Sequence, residues 1–249
     1  MPKRFALEVP RRSIDNLGVQ RHPLDYEPFH QELFPRSWQT IREAFATGVA
    51  TAFSFGVIGG GRGRERAFVG FFGQTALPPD GVAIHERTPF DIASLTKIFA
   101  TATLTAELVD RGWLSWETPV SALLPGYRYP ALKVRHLLAH TAGFPAWEPL
   151  WQKMKDRLGG RKLALLPIPE RQALMREMVF AIRPEVPPDT RTLYSDIGFL
   201  TLGFLLEELT GLDLDVAVER FAWRRLGVVD SFYRRVDVLP EKARLPDVA

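Results

Sequence analysis

Two apolar rhythms divide this chain. Between residues 49 and 73 the apolar positions come in short, nearly continuous runs, V-A-T-A-F-S-F-G-V-I over 49–58 and A-F-V-G-F-F-G over 67–73. Runs of that length, rich in Phe and Val and separated by G-G-G-R-G-R-E-R, predict a β-hairpin whose strands are buried on both faces. From residue 94 onward the apolar positions recur at three and four, the helical period. Ile98, Phe99, Ala102, Leu104, Leu108 and Val109 mark a helix over 94–111, stopped by Gly112. K-V-R-H-L-L-A-H-T-A-G-F-P (133–145) reads as a short helix closed at Gly143, and Glu170–Ile182 as a longer one. Y-S-D-I-G-F-L-T-L-G-F-L-L-E-E-L-T-G opens a very apolar helix over 194–211, and Leu212 to Gly227 gives one more.

The connecting stretches are equally distinct. Residues 1–36 are rich in Pro and Arg, show no period, and read as an irregular arm. Ser37 is placed to cap a short helix carrying Trp38, Ile41 and Phe45 on one face. Segment 114–127 is compact and broken by prolines, 146–168 is an aromatic and basic excursion, and 183–192 is a loop stiffened by prolines. A two-stranded hairpin is marginal by itself. The sequence after 227 offers it only V-V-D-S-F-Y-R-R-V-D-V-L, one further strand at most, so the sheet is under-supplied.

Composition narrows the function classes. The chain has 249 residues, 46% hydrophobic and 24% charged, enough for one large globular domain or two modest ones. A net charge of +3, with arginines scattered among acids, argues against a nucleic-acid partner. The absence of cysteine excludes thiolate chemistry, disulfides and zinc–thiolate sites. The basic N-terminus lacks the apolar core of a secretory signal, and no apolar run approaches the length of a membrane span, so a cytoplasmic location is expected. The glycine cluster at 59–63 lacks a G-K-[ST] ending and leads into a strand, which makes it a hairpin turn rather than a phosphate cradle. Neither a cofactor nor a metal is expected. His136 and His140 are spaced i, i+4, but no acid lies near them in sequence, and structural hydrogen bonding suits them better than metal ligation.

The chemistry centres on F-D-I-A-S-L-T-K-I-F, residues 90–99. On a helix Ser94 and Lys97 share a face, so a hydroxyl lies beside an amine, as in an activated nucleophile. Alone, this spacing carries little weight, since an N-cap serine followed by an exposed lysine explains it equally well. Ser94 lacks the partners of other hydrolases: there is no G-x-S-x-G and no histidine after His140. The base would be Lys97 or a tyrosine, of which Tyr194, opening Y-S-D after the proline-rich loop, is the candidate.

F-D-I-A-S-L-T-K, then H-L-L-A-H-T-A-G-F-P, then Y-S-D-I-G-F follow in order and at fitting distances. This resembles the serine β-lactamase and penicillin-binding-protein-like superfamily, in its class C-like and esterase branch, from about Val49 to Leu245. The resemblance implies an α/β (α+β) fold with an antiparallel sheet flanked by helices, plus a helical subdomain over about 114–227. The arm would occupy 1–36 and the β-lactamase-related domain 37–249. It also implies roles. Ser94 would be acylated, Lys97 would hold or take its proton, and Tyr194 would be the partner base. The Ser94 N–H would form half of an oxyanion hole, and the H-T-A-G segment with His140 would be scaffold at the site, with Ser195 and Asp196 lining it.

Two departures from the family pattern bear on substrate. Asp196 stands where lactamases of this kind carry Asn; an ionised Asp only accepts hydrogen bonds, repels anionic substrates, and could pair with Lys97. This shifts the expected substrate from β-lactams to esters, small amides or peptides, as in relatives that also read Y-S-D. The third family motif, Lys or His followed by x-Gly on a late strand, has no match: no glycine follows Gly227 and no histidine follows His140. The resemblance thus implies a chain that stops before the late strands, with an incomplete sheet. Two alternatives to an active serine hydrolase therefore stand beside it: a truncated or inactive relative, and a binding module that keeps the cleft without turnover. An incomplete sheet edge would also favour homo-oligomers.

Overall fold

The computed structural model describes residues 26–60, 66–76, 79, 81–159 and 165–233. The chain divides into two compact units, the first running to Asp91 and the second starting at Ile92.

The first unit is a small sheet with one helix. Strands β2 (Ala52–Gly59) and β3 (Arg66–Gly73) pair antiparallel, Ala52 opposite Gly73 and Gly59 opposite Arg66, as the apolar runs require. A third strand, β1 (Tyr26–Pro28), lies parallel to β3 on its other side, giving the order β1-β3-β2. This corrects the reading of residues 1–36 as wholly irregular: their last part supplies the strand that the hairpin needs. Residues 228–233 of the tail form no strand, and the rest of V-V-D-S-F-Y-R-R-V-D-V-L lies outside the described residues. Helix α1 (Pro35–Ala46) begins three residues before the point that a Ser37 cap predicts. Proline at the first helical position sets that start, because its fixed φ suits the helix and its missing N–H would be unpaired there anyway.

Aromatic side chains hold this unit together. Phe29 stacks on Phe34 at 5.3 Å and meets Phe55 and Phe72 edge-on at 5.2 and 5.7 Å. Trp38 of α1 packs on Phe72 at 5.1 Å, and Phe45 on Phe53 at 4.8 Å. Gly70 makes the cluster possible, since a Cβ there would stand 2.5 Å from the Phe72 ring and 2.8 Å from Phe29 Cβ.

The second unit is helical. A π-helical turn (Lys97–Ala102) runs directly into α2 (Thr103–Asp110). Short helices α3 (Val120–Leu123), α4 (Val134–Leu138) and α5 (Leu150–Arg157) follow, then α6 (Ile168–Ala181) and α7 (Asp196–Thr210). The chain closes through α8 (Leu214–Val218), a second π-helical turn (Glu219–Trp223) and α9 (Arg224–Leu226). The core gathers Leu104 and Leu108 of α2, Val134 and Leu137 of α4, and Ile197, Leu202, Leu205 and Leu206 of α7, all fully buried.

The helix limits differ from the apolar pattern in instructive ways. Helix α4 ends at Leu138 rather than at Gly143, because His140 adopts a left-handed backbone with φ 56°. The excursion at 146–168 contains α5, whose only buried residues are Leu150 and Met154, too sparse a stripe to declare a helix. Ile98 and Phe99, expected on the inner face of their helix, are 68% and 40% exposed. The wider π turn rotates the face that follows it, so Ala100, Leu104 and Leu108 point inward instead.

Candidate active site

Ser94 sits on a tight turn immediately before the first helical residues. The amides of Leu95, Thr96 and Lys97 donate to the carbonyls of Ile92, Ala93 and Ser94, so the chain coils into the helix through Ser94. Ala93 takes a positive φ of 42°, a strained conformation for a residue with a Cβ. Strain at that point lifts Ser94 to the head of the helix, exposed, with developing negative charge favoured by the helix dipole.

Lys97 is the hub. Its Nζ donates to Ser94 Oγ at 3.2 Å, pairs with Asp196 Oδ1 at 2.7 Å, and lies 4.9 Å from the centre of the Tyr194 ring. Burial opposes the charge on Lys97, but hydrogen bonds to Asp196 and Tyr194 outweigh it and hold the amine above its ordinary range. Lys97 is therefore an ammonium. Tyr194 moves the other way. Its hydrogen bonds with Lys97, and next with Ser94, draw the phenol below its ordinary range. Of the two bases that the spacing leaves open, the electrostatics favour Tyr194.

Extended backbone at Ser195 (φ −137°, ψ 128°) sends alternate side chains to opposite sides. Tyr194 and Asp196 face Lys97, while the Ser195 hydroxyl turns away and donates to the Pro145 carbonyl at 2.7 Å. Ser195 is buried, which corrects its expected place on the site wall. His140 also stands behind the site. Its Nδ1 accepts the Ser195 N–H at 3.0 Å, and its ring packs against Tyr194 at 4.6 Å and Phe199 at 5.0 Å. Burial, and then the nearby Lys97 charge, depress the His140 pKa, so the ring is neutral and supports Tyr194 from behind.

The proline-rich loop is stitched to the segment after α4. Amides of Glu185, Asp189, Leu193 and Asp196 donate to the carbonyls of Gly143, Thr141, His140 and Ala146. Asp189, in left-handed backbone with φ 61°, accepts from Arg135 at 2.8 Å, Thr141 at 2.9 Å and His136 Nε2 at 3.1 Å. His136 Nδ1 accepts the Lys133 N–H, so its proton resides on Nε2 and points at Asp189. The acid that sequence proximity denied to His136 arrives from 53 residues away. Only three-dimensional packing reveals Asp189, although a D-T pair after two prolines does signal a turn.

Gly143 makes that stitching possible. Its φ is +80°, and a Cβ there would lie 2.1 Å from the Val186 carbonyl oxygen. Gly143→Ala is expected to lower stability by about 2–3 kcal/mol. Thermal or urea denaturation checks this, and a midpoint equal to the wild type would refute the tight approach.

A cavity of about 440 Å³ opens beside Ser94. Its lining includes Ser94, Lys97, Phe199, Gly203, Phe204 and Glu207. Sequence reasoning missed it; the one available signal was that the 194–211 helix is apolar on more sides than a single core contact needs. Among the described residues no group of three His, Asp or Glu side chains could hold a metal ion, and no helix is long and apolar enough to cross a membrane.

Known proteins give the chain a family and a fold. The family model described as Beta-lactamase matches residues 39–243. A protein of Salmonella paratyphi B named "Putative D-alanyl-D-alanine carboxypeptidase" is 29% identical over 156 residues, covering 59% of this chain and 34% of that protein. The chain thus spans about a third of the length of the curated relatives it matches. Among solved structures, the octameric penicillin-binding protein homologue from Pyrococcus abyssi superposes with a TM-score of 0.66 at 23% identity, over 86% of this chain and 47% of that one. The penicillin-binding protein from Bacillus halodurans gives 0.56 at 28%, over 75% and 54%. A class C β-lactamase in complex with cefoxitin gives 0.63 at 21%, over 86% and 54%.

Proposed function

The chain belongs to the β-lactamase family, and from that premise we propose that it is a serine hydrolase that forms an acyl-enzyme on Ser94 and acts on esters or small amides rather than β-lactams. The observation that carries this reading is the Lys97 ammonium, held between Ser94 Oγ and the Asp196 carboxylate. The pairing leaves the site with no surplus positive charge to attract the carboxylate of a β-lactam. Asp196 also offers no N–H to a substrate carbonyl. A neutral ester meets neither obstacle.

The geometry supports the following steps. Tyr194, as phenolate beside the Lys97 ammonium, takes the proton of Ser94 Oγ while that oxygen bonds to the acyl carbon. The carbonyl π electrons move onto its oxygen, which the Ser94 backbone N–H stabilises. The carbonyl re-forms, the bond to the alkoxy oxygen breaks, and Tyr194 returns the proton to that oxygen, releasing alcohol. Water then attacks the acyl-enzyme, giving its proton to Tyr194; the bond from the acyl carbon to the Ser94 oxygen breaks, and Tyr194 returns the proton to that oxygen, releasing the carboxylic acid and restoring the phenolate. Lys97 keeps its charge throughout and lowers the cost of forming the phenolate.

A fluorophosphonate probe is expected to add one mass increment to the intact protein, mapped to the peptide holding Ser94 and blocked by prior incubation with a p-nitrophenyl ester. In parallel, kcat/KM for nitrocefin and for a D-alanyl anilide is expected to lie about tenfold or more below that for p-nitrophenyl butyrate. Folded protein that takes no adduct would refute the acyl-enzyme, and nitrocefin as the best substrate would refute the ester preference.

A further inference from the structure

Helix α7 presents Asp196, Leu200, Gly203, Phe204 and Glu207 along one face, at the three- and four-residue steps of a helical stripe. These residues wall the cavity that starts at Ser94. Eleven residues separate Asp196 from Glu207, so at about 1.5 Å per residue the wall is about 16 Å long. Its middle is apolar, with Phe199, Leu200 and Phe204 on α7, Leu214 opposite, and Tyr233 closing the side. Gly203 leaves the centre open: a Cβ there meets only Leu214 Cδ2, at an ordinary contact distance of 3.6 Å. Glu207 at the far end takes the Leu214 N–H at 3.0 Å, and burial raises its carboxyl above the usual range, so the end wall repels an apolar chain less than a free carboxylate would.

We propose that this groove is the acyl-chain subsite of the enzyme and that its preferred substrates are esters of unbranched, medium-length carboxylic acids. The assignment rests on Ser94 being the nucleophile. With the carbonyl at Ser94 Oγ, a linear chain extends along α7 past Leu200 and Gly203 toward Phe204. An apolar slot of this length that begins at a nucleophile favours substrates in proportion to the methylenes it takes from water, by a factor of up to about three or four for each one fully buried. Short acyl groups leave the slot empty and gain nothing from it.

The test is a series of p-nitrophenyl esters from acetate to laurate, with wild type, Gly203→Leu, Leu200→Trp and Ser94→Ala. In the wild type kcat/KM is expected to rise about tenfold or more from acetate to octanoate. Both groove variants are expected to lose the rise with chain length, read as the ratio of octanoate to acetate kcat/KM within each variant. Binding of octanamide, a neutral acyl analogue, to Ser94→Ala, followed by calorimetry, gives a readout independent of chemistry; it is expected to be lost when Gly203→Leu is added. A flat chain-length profile with Ser94-dependent acetate turnover would overturn the groove and leave the hydrolase standing. Octanamide binding that Gly203→Leu removes, in a protein with no esterase activity, would keep the groove and overturn the hydrolase. Absence of both octanamide binding and a chain-length rise overturns the subsite.

Discussion

Ser94→Ala is expected to lower kcat/KM for p-nitrophenyl esters by about 10⁴ or more, as the proposed acyl-enzyme requires. The size of the loss follows from its place in the site. Lys97 donates to the Ser94 hydroxyl and the Tyr194 phenolate accepts from it, so removing it leaves a charged pair with nothing to activate. What survives is orientation and the backbone N–H, which support only residual turnover. Folding is not at issue, because Ser94 is exposed and its hydroxyl supports no core contact. The denaturation midpoint is expected within about 0.5 kcal/mol of the wild type. Wild-type-like turnover by the variant would transfer the nucleophile to another residue and dismantle the site as described.

Tyr194→Phe is expected to lower kcat by about 10²–10⁴ with little change in KM, and to change the pH profile. In the proposed mechanism the active form has Tyr194 deprotonated and Lys97 protonated. Activity is expected to rise with pH as Tyr194 loses its proton, below the ordinary range of a phenol, because hydrogen bonds with Lys97 and then Ser94 stabilise the phenolate. It is expected to fall only above the ordinary lysine range, since burial lowers the Lys97 pKa less than the Asp196 and Tyr194 hydrogen bonds raise it. Tyr194→Phe removes the rising limb; an unchanged rising limb would make Lys97, released from Asp196, the base instead. Tyr194 is half exposed and packs on His140, and the ring survives the substitution, so the fold is retained.

The candidate site was legible because its parts are local. Ser94 and Lys97 are set one helical step apart, and Tyr194 and Asp196 straddle a single extended residue at a helix start. Their meeting across about a hundred residues was legible only through resemblance, since no spacing rule predicts which loop reaches which helix. The corrections have a common cause. Strand β1 is three residues long, too short for any period, and it exists because β3 offers a free edge. Asp189 is one polar residue in a loop, and its three partners come from the α4 segment. Ser195 lies between two site residues in sequence, yet strand geometry turns it to the other side. The groove on α7 depends on what does not pack against that helix, which an apolar pattern cannot record.

The π-helical turn after Ser94 has an optical consequence. Its widened backbone leaves the Phe99 carbonyl to accept the indole N–H of Trp223 at 2.9 Å, and the indole leans on the Phe99 ring at 5.7 Å. On its other side Trp223 stacks on Tyr233 at 5.7 Å, and Tyr233 walls the groove. One chromophore thus touches both the π turn that follows Ser94 and a residue that walls the slot. Indole emission depends on its hydrogen bond and on the water around it, so the protein carries an unlabelled reporter of both. Comparing emission with and without Trp223 isolates its share among the six tryptophans of the chain.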